Sequence, residues 1–425
     1  PLLYQVATAG LSPADIATPI RSIMSPFKNI QVKMGEVIFI DFEKQKVQTA
    51  VEEFSFDYLV LACGAKHGYF GHDEWEPFAP GLKTVEQAVE IRRRILTAYE
   101  KAESCKDSET LRALMTFVVV GGGPTGVEMA GAIAEISRKT LEADFRNINP
   151  AGTRVILIEA GDRVLAAFDP ELSKKATRDL EGLGVQVWTG MRVTKISEGH
   201  VELGKEVVKA ATVVWAAGVV PTKIKSKPEL PLDKSGRIEI TKDLRIRGFT
   251  NVFALGDQAY FKTHEGSLPG LAPVAIQQGE WTAKNILLLL KGQEPKEFEY
   301  VDKGIMATIG KSKAVMQAGK LKVSGFIAWI AWLFVHIYYL IGFHNRVAVF
   351  LEWAWQYLTS RKGARLISDR NWKFYPRETA LCKAEHSVHP GLTTPDDCPT
   401  PRSGNYEARQ CDRSGARSTD DGQSQ

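Results

Sequence analysis

"FVVVGGGPTGVEMAGAIAE" runs from Phe117 to Glu135. Phe117 to Val120 is a short apolar run, long enough for a buried parallel strand. Gly121, Gly123 and Gly126 then give G-x-G-x-x-G. In that spacing the first glycine allows a tight turn and the second lets a pyrophosphate approach the backbone. The third lets the next helix pack close to the strand. That helix starts near Thr125, just after Pro124, and aims its free N–H groups and positive dipole end at the pyrophosphate. A strand before the glycines and a helix after them are the context that the dinucleotide fingerprint demands.

The second strand supplies the next check. "RVILIEA", Arg154 to Ala160, reads as a buried strand ending in Glu159. An acid there accepts hydrogen bonds from the ribose of NAD and repels the 2′-phosphate of NADP, so NADH is the expected partner. Arg163, just downstream, works against that preference. The helix between the strands is expected to be long, reaching from Glu128 to Phe145, with a loop after it.

Upstream, "YLVLACGAKH" (Tyr58 to His67) matches "TVVWAAGVVP" (Thr212 to Pro221). Each is four apolar residues followed by Ala-x-Gly, ending at Gly64 and Gly218, after a polar β-rich stretch. The pair reads as an internal repeat of two dinucleotide-binding units. The spacing within the second unit places the first unit's glycine loop about 33 residues before Pro1. The chain begins with Pro, and the expectation is a sequence truncated at its N-terminus.

The 425 residues suggest two or three domains, with 44% hydrophobic and 24% charged residues. A net charge of +4 and no basic stripe interleaved with aromatics argue against nucleic acid. The five cysteines show no C-x-x-C and no metal-ligand spacing, which suits a reducing compartment and predicts no metal. Pro1 to about Pro80 reads as β-rich with one polar helix, and Gly81 to about Lys106 as a helix bridging the units. Asp243 to Ala259 returns to strand. Gly270 to Gly292 reads as a helix, and strand-like runs follow around Phe298–Ile309 and Ala314–Val323.

Composition then shifts. "FIAWIAWLFVHIYYLIGF", Phe326 to Phe343, has no formal charge, and four of the nine tryptophans lie between Trp329 and Trp355. Lys320, Lys322, Arg346, Arg361, Lys362 and Arg365 flank or interrupt it. Aromatics edged by Lys and Arg suit a segment lying in a membrane interface; a buried helix pair or a dimer interface is the alternative. From Arg377 on, the chain is too poor in large apolar residues to order itself.

Together, "VVVGGGPTGVEMAGAIAE", "NVFALGDQA", "APVAIQQGEWTAKNI", the opening "PLLYQVATAGLSPADIATPIR" and the Trp-rich C-terminal hairpin resemble one branch of the two-dinucleotide-domain flavoproteins. That branch is the type II, non-proton-pumping NADH:quinone oxidoreductases, and the resemblance covers roughly Pro1 to Ile367. It implies an α/β fold with two Rossmann-like domains, the first incomplete, plus a C-terminal membrane-associating helical region. It also implies FAD in the first unit, NADH in the second and reduction of a membrane quinone. The domains expected are 1–110 and 236–322 for FAD, 111–235 for NADH, 323–376 for membrane anchoring and 377–425 as a disordered tail.

By resemblance, Gly256 lets the flavin approach, Asp257 binds its ribityl chain, and the helix through Ala275 points its N-terminus at the flavin. Glu128 lies near nicotinamide and flavin; as an acid in the first helical turn it would also complement the dipole. Gln277 and Gln278 are candidates for lining the quinone pocket, and Tyr4 and Gln5 border the quinone route. Relatives often carry Gln where this chain has Pro273, which removes that contact. Cys63, often Thr in relatives, reads as a small core hydrophobe. The enzyme is expected on the cytoplasmic face of the inner (plasma) membrane, touching lipid through 323–370, with a homodimer left open. Alternatives are a sulfide:quinone reductase, a disulfide reductase, or a non-catalytic NADH-binding fragment.

Overall fold

The computed structural model describes residues 2–264, 266–359 and 362–368. The expected disordered tail, 377–425, and the end of the expected anchoring region lie outside the described residues, with Cys382, Cys398 and Cys411.

The stretch after Leu114 builds a four-stranded parallel sheet in the order Thr212–Trp215, Thr116–Val120, Arg154–Ile158, Val185–Trp188. Every residue of Thr116–Val120 is buried, as a central strand covered on both faces must be. Helices Pro124–Glu135 and Pro170–Gly182 make crossovers between these strands. An antiparallel meander, Lys195–Ser197, His200–Leu203 and Glu206–Lys209, leads into the last strand.

The first unit repeats this order. A meander of Val37–Asp41, Lys46–Thr49 and Glu53–Ser55 precedes Leu59–Leu61, which pairs in parallel with Val252–Ala254. The chain crosses to the second unit through Ala65–His67 and returns through Val219–Pro221. These two strands pair antiparallel, His67 with Val219 and Ala65 with Pro221. Helix Val85–Glu103 follows the first crossing. Thr84 starts it with a capping box shared with Gln87, and Ala88, Ile91, Ile95, Tyr99 and Ala102 bury one helical stripe.

Some elements differ from the expectation. Among the described residues before Pro80 there are three short α-helices, Leu3–Ala7, Pro13–Ile16 and Ile20–Met24, rather than one. The glycine-loop helix does not reach Phe145. It widens into a π-turn over Ile136–Thr140, closed by the Leu141 N–H on the Ile136 carbonyl at 2.9 Å. The cause sits at Ser137. Its hydroxyl donates to the Ile133 carbonyl at 2.5 Å while receiving the Tyr99 hydroxyl at 2.9 Å, and it competes with the helical ladder. Phe298–Tyr300 is not strand. The meander there is Ile305–Thr308, Ala314–Ala318 and Leu321–Gly325.

Helices Phe326–Tyr339 and Phe343–Thr359 are the last two among the described residues. Gly342, at φ +88°, lets the backbone reverse between them, and the Arg346 guanidinium holds the Leu340 carbonyl at 2.8 Å. Among the described residues, no helix is long and apolar enough to cross a membrane. Trp332 is buried in the same core as the glycine-loop helix and Tyr4.

Candidate functional site

The three fingerprint glycines have three separate reasons to lack a side chain. Gly121 has φ +109°, and a Cβ on it would lie 2.6 Å from the backbone of Ala216 and Ala217. On Gly126 it would lie 1.7 Å from the Gly121 carbonyl oxygen, so this glycine lets the helix close on the turn. Around Gly123 there is no atom within 4 Å of that position, which leaves a cradle for a pyrophosphate. Pro124 is the first helical residue and Thr125, exposed, the second. Glu159 stands at the rim. Its two carboxylate oxygens accept the Gly122 and Gly161 N–H groups, each at 2.6 Å. These residues fit a dinucleotide.

The first unit supplies a second cradle. Gly256, at φ +65°, faces Ala275, whose Cβ would be 3.2 Å from a Cβ on the glycine. The Gly256 N–H is held by the buried Gln278 side chain at 2.8 Å. Asp257 accepts the Lys83 ammonium at 2.9 Å. Helix Ala272–Leu290 begins beside it, its N-cap at Leu271 without a side-chain cap, so its dipole end is free for the electron-rich edge of a flavin. Gly64, at φ +64°, has open space around it and accepts the Thr222 N–H at 3.1 Å. Gly218 sits apart, packed against Phe70 and the Gly68 carbonyl. The turn and the free helix end fit the flavin that the fold implies.

Between the units and the hairpin lies an open-mouthed cavity of about 120 Å³. Its apolar wall is Tyr4, Trp329, Trp332, Leu333 and Trp353; its polar end holds Glu135, Lys139, Lys311 and Lys362. Trp332 stacks on His336 at 4.0 Å and lies 5.5 Å from Trp353 and 6.4 Å from Tyr4, centroid to centroid. Gln5 links the two ends of the described chain. It donates to the Tyr4 hydroxyl at 2.9 Å and accepts the Trp353 indole N–H at 2.6 Å.

Glu128 is buried behind this wall. It lies in the second helical turn, not the first, because the helix starts at Pro124. Its carboxyl accepts the Thr308 N–H at 3.5 Å, and burial pushes its pKa up to about 8. The buried Trp332 indole N–H makes no hydrogen bond but lies near enough to the same carboxyl to oppose that rise slightly. Burial, with Glu128 adding to it, pushes the Tyr4 phenol well above its usual range. Burial also lowers the Lys362 ammonium to about 8.

Gln277 and Gln278 do not line the cavity. Gln277 clamps the Val301 backbone with two bonds of 3.0 Å, and Gln278 supports Gly256. Cys63 is exposed rather than in the core, since it sits in the open turn after Leu59–Leu61. Sequence reasoning missed Trp332, Trp353 and Thr308 as cavity residues. Trp332 and Trp353 were visible as part of a tryptophan cluster, a signal absorbed by the membrane reading, and Thr308 carried none.

A family model described as pyridine nucleotide-disulphide oxidoreductase matches residues 1–279, and one described as the NDH2 C-terminal domain matches residues 303–362. A Mycobacterium tuberculosis protein, type II NADH:quinone oxidoreductase Ndh, is 39% identical over 386 residues, spanning 87% of this chain and 82% of that protein. A Staphylococcus saprophyticus protein, type II NADH:quinone oxidoreductase, is 31% identical over 74% of this chain and 78% of its own length. The solved structure of NDH2 from Plasmodium falciparum in complex with NADH superposes with a TM-score of 0.78 at 18% identity, covering 87% of this chain and 92% of that one. With its glycine cradles, its flavin-type turn and its Trp-walled cavity, the chain belongs to the pyridine nucleotide-disulphide oxidoreductase family, among the type II NADH:quinone oxidoreductases.

Proposed function

We propose that this chain oxidises NADH and reduces a quinone through bound FAD, without pumping protons. The observation that carries this reading is the cavity. It lies against the helix that leaves the NADH cradle and is walled by tryptophans from the far end of the chain. FAD, when bound, supplies the redox chemistry, accepting a hydride from nicotinamide and giving two electrons to quinone.

The chain's own residues orient and exclude water. Gly121, Gly123, Pro124, Thr125 and Gly126 hold the NADH pyrophosphate, and Glu159 faces the adenosine ribose. Gly64, Gly256, Asp257 and Ala275 hold FAD. Trp329, Trp332 and Trp353 clamp the flat quinone ring, with the Tyr4 hydroxyl and Lys362 as polar partners. Glu128, with its pKa near 8, keeps a proton at neutral pH directly behind that wall.

The hairpin holds the enzyme peripherally on a membrane. Phe334, Tyr338, Phe343, Phe350 and Trp355 are exposed, and Phe326 to Leu351 contains no acidic residue. That pairing of apolar and non-acidic surface favours lipid over a second copy of the chain. Because NADH is cytoplasmic, the membrane face is the cytoplasmic one of the inner (plasma) membrane.

The test is NADH-dependent reduction of a short-chain ubiquinone in detergent with added FAD. Turnover that falls at least about ten-fold in Trp332→Ala, with NADH bleaching of the flavin retained, supports the reading. Bleaching by NADH with no quinone turnover in the unaltered protein would sink it.

A further inference from the structure

The residue after Asp257 is Gln258, with 1% of its surface exposed. Both ends of its amide are engaged. Its Oε1 accepts the Cys63 N–H at 3.2 Å, and its Nε2 donates to the Thr222 carbonyl at 2.8 Å. The orientation is fixed, because a backbone N–H can only donate and a carbonyl can only accept. Thr222 completes the ring of bonds. Its hydroxyl donates to the Cys63 carbonyl at 3.1 Å, and its N–H to the Gly64 carbonyl at 3.1 Å.

Cys63 and Thr222 border the two passages between the units. Cys63 leads into the outgoing strand Ala65–His67, and Thr222 follows the returning strand Val219–Pro221. One side chain therefore ties the Asp257 turn to both passages at once. The turn itself is fixed from two further directions, by Gln278 on Gly256 and by Lys83 on Asp257. A slip at Gln258 is thus free to move the second unit without moving the turn.

We propose that Gln258 is a positioning residue that fixes the NADH-binding unit against the flavin-binding turn through the two crossing strands. The proposal rests on the reading of the two cradles given above. Its chemistry is that of a rigid amide spacer. Glutamate of the same length keeps the bond from Cys63 but sets an oxygen against the Thr222 carbonyl, and methionine keeps the volume but loses both bonds. Hydride transfer depends steeply on the approach of donor and acceptor, so a small displacement appears in rate before it appears in affinity.

The experiment compares Gln258→Glu and Gln258→Met with the unaltered protein. Amide hydrogen exchange, which needs no turnover, is read at Cys63 and at Val219, Val220 and Thr222. Stopped-flow bleaching of the flavin by NADH is read with ordinary and 4-deuterated NADH. The expected result is faster exchange at Cys63 in Gln258→Met alone and, in both variants, bleaching slowed about ten-fold with a larger isotope effect and flavin content and NADH affinity within about two-fold. Exchange and bleaching both unchanged would overturn the proposal. So would loss of flavin from both variants, which would make Gln258 a support of the flavin loop alone. Absence of bleaching in the unaltered protein is a separate outcome: it overturns the reductase reading on which the proposal stands.

Discussion

At the scale of single residues, the fingerprint glycines divide by what their missing side chains would strike. Gly126→Ala drives a methyl into the Gly121 carbonyl, so it should unfold the loop and lower Tm by several degrees, because backbone cannot yield as a flexible side chain does. Gly123→Ala has open space, so Tm should hold while NADH affinity falls about ten-fold or more; thermal melts and an NADH titration separate the two. Glu128 makes a pH prediction. Its folded pKa, about 8, lies above its ordinary 4.5, so the folded state binds the extra proton between those values. Its contribution is complete below about pH 4.5, declines as pH rises, and is lost above about 8. Glu128→Gln should flatten that decline and raise Tm at pH 8 by about 2 °C or more in a pH series of melts. The glycines were legible because sterics fix their spacing in sequence. The burial of Glu128 was not, because Thr308 and Trp332 reach it from 180 and more residues away.

Elements were legible where local pattern decides them. Helix Val85–Glu103 carries its own capping box and apolar stripe, and the central strand is apolar from Phe117 to Val120. The π-turn at Ile136–Thr140 was hidden because it depends on Tyr99, a residue of another helix. The hairpin was legible as an aromatic, uncharged stretch from Phe326 to Phe343 followed by a break, but the reversal between its two helices rests on one glycine with positive φ. Its exposed face makes a prediction at this scale. Phe334→Ser with Phe350→Ser removes two exposed aromatics from that face, and vesicle partitioning in a flotation assay should fall about ten-fold, given the apolar area each would bury. Turnover on a soluble quinone analogue in detergent should stay within about two-fold.

At the scale of the whole molecule, the cavity is made by closure of distant segments. Tyr4 and Gln5 come from near the start, Thr308 and Lys311 from the C-terminal meander, and Trp332 and Trp353 from the hairpin. No window of sequence contains such a site, so tryptophans could be counted but not aimed. Gln5→Leu would leave the Trp353 indole N–H without its acceptor and loosen the join between the first helix and the last. The quinone KM should then rise about ten-fold, while the rate of flavin bleaching by NADH is unchanged.

The paired crossing strands carry a local symmetry. Ala65–His67 and Val219–Pro221 each begin one residue after an Ala-x-Gly turn, and the register sets Ala65 on Pro221, Lys66 on Val220 and His67 on Val219. That arrangement has a local two-fold axis through the Lys66–Val220 pair, with each strand meeting its own counterpart in reverse. An isologous contact between two identical subunits produces that geometry. The seam between the two halves therefore has the form of a subunit interface built within a single chain.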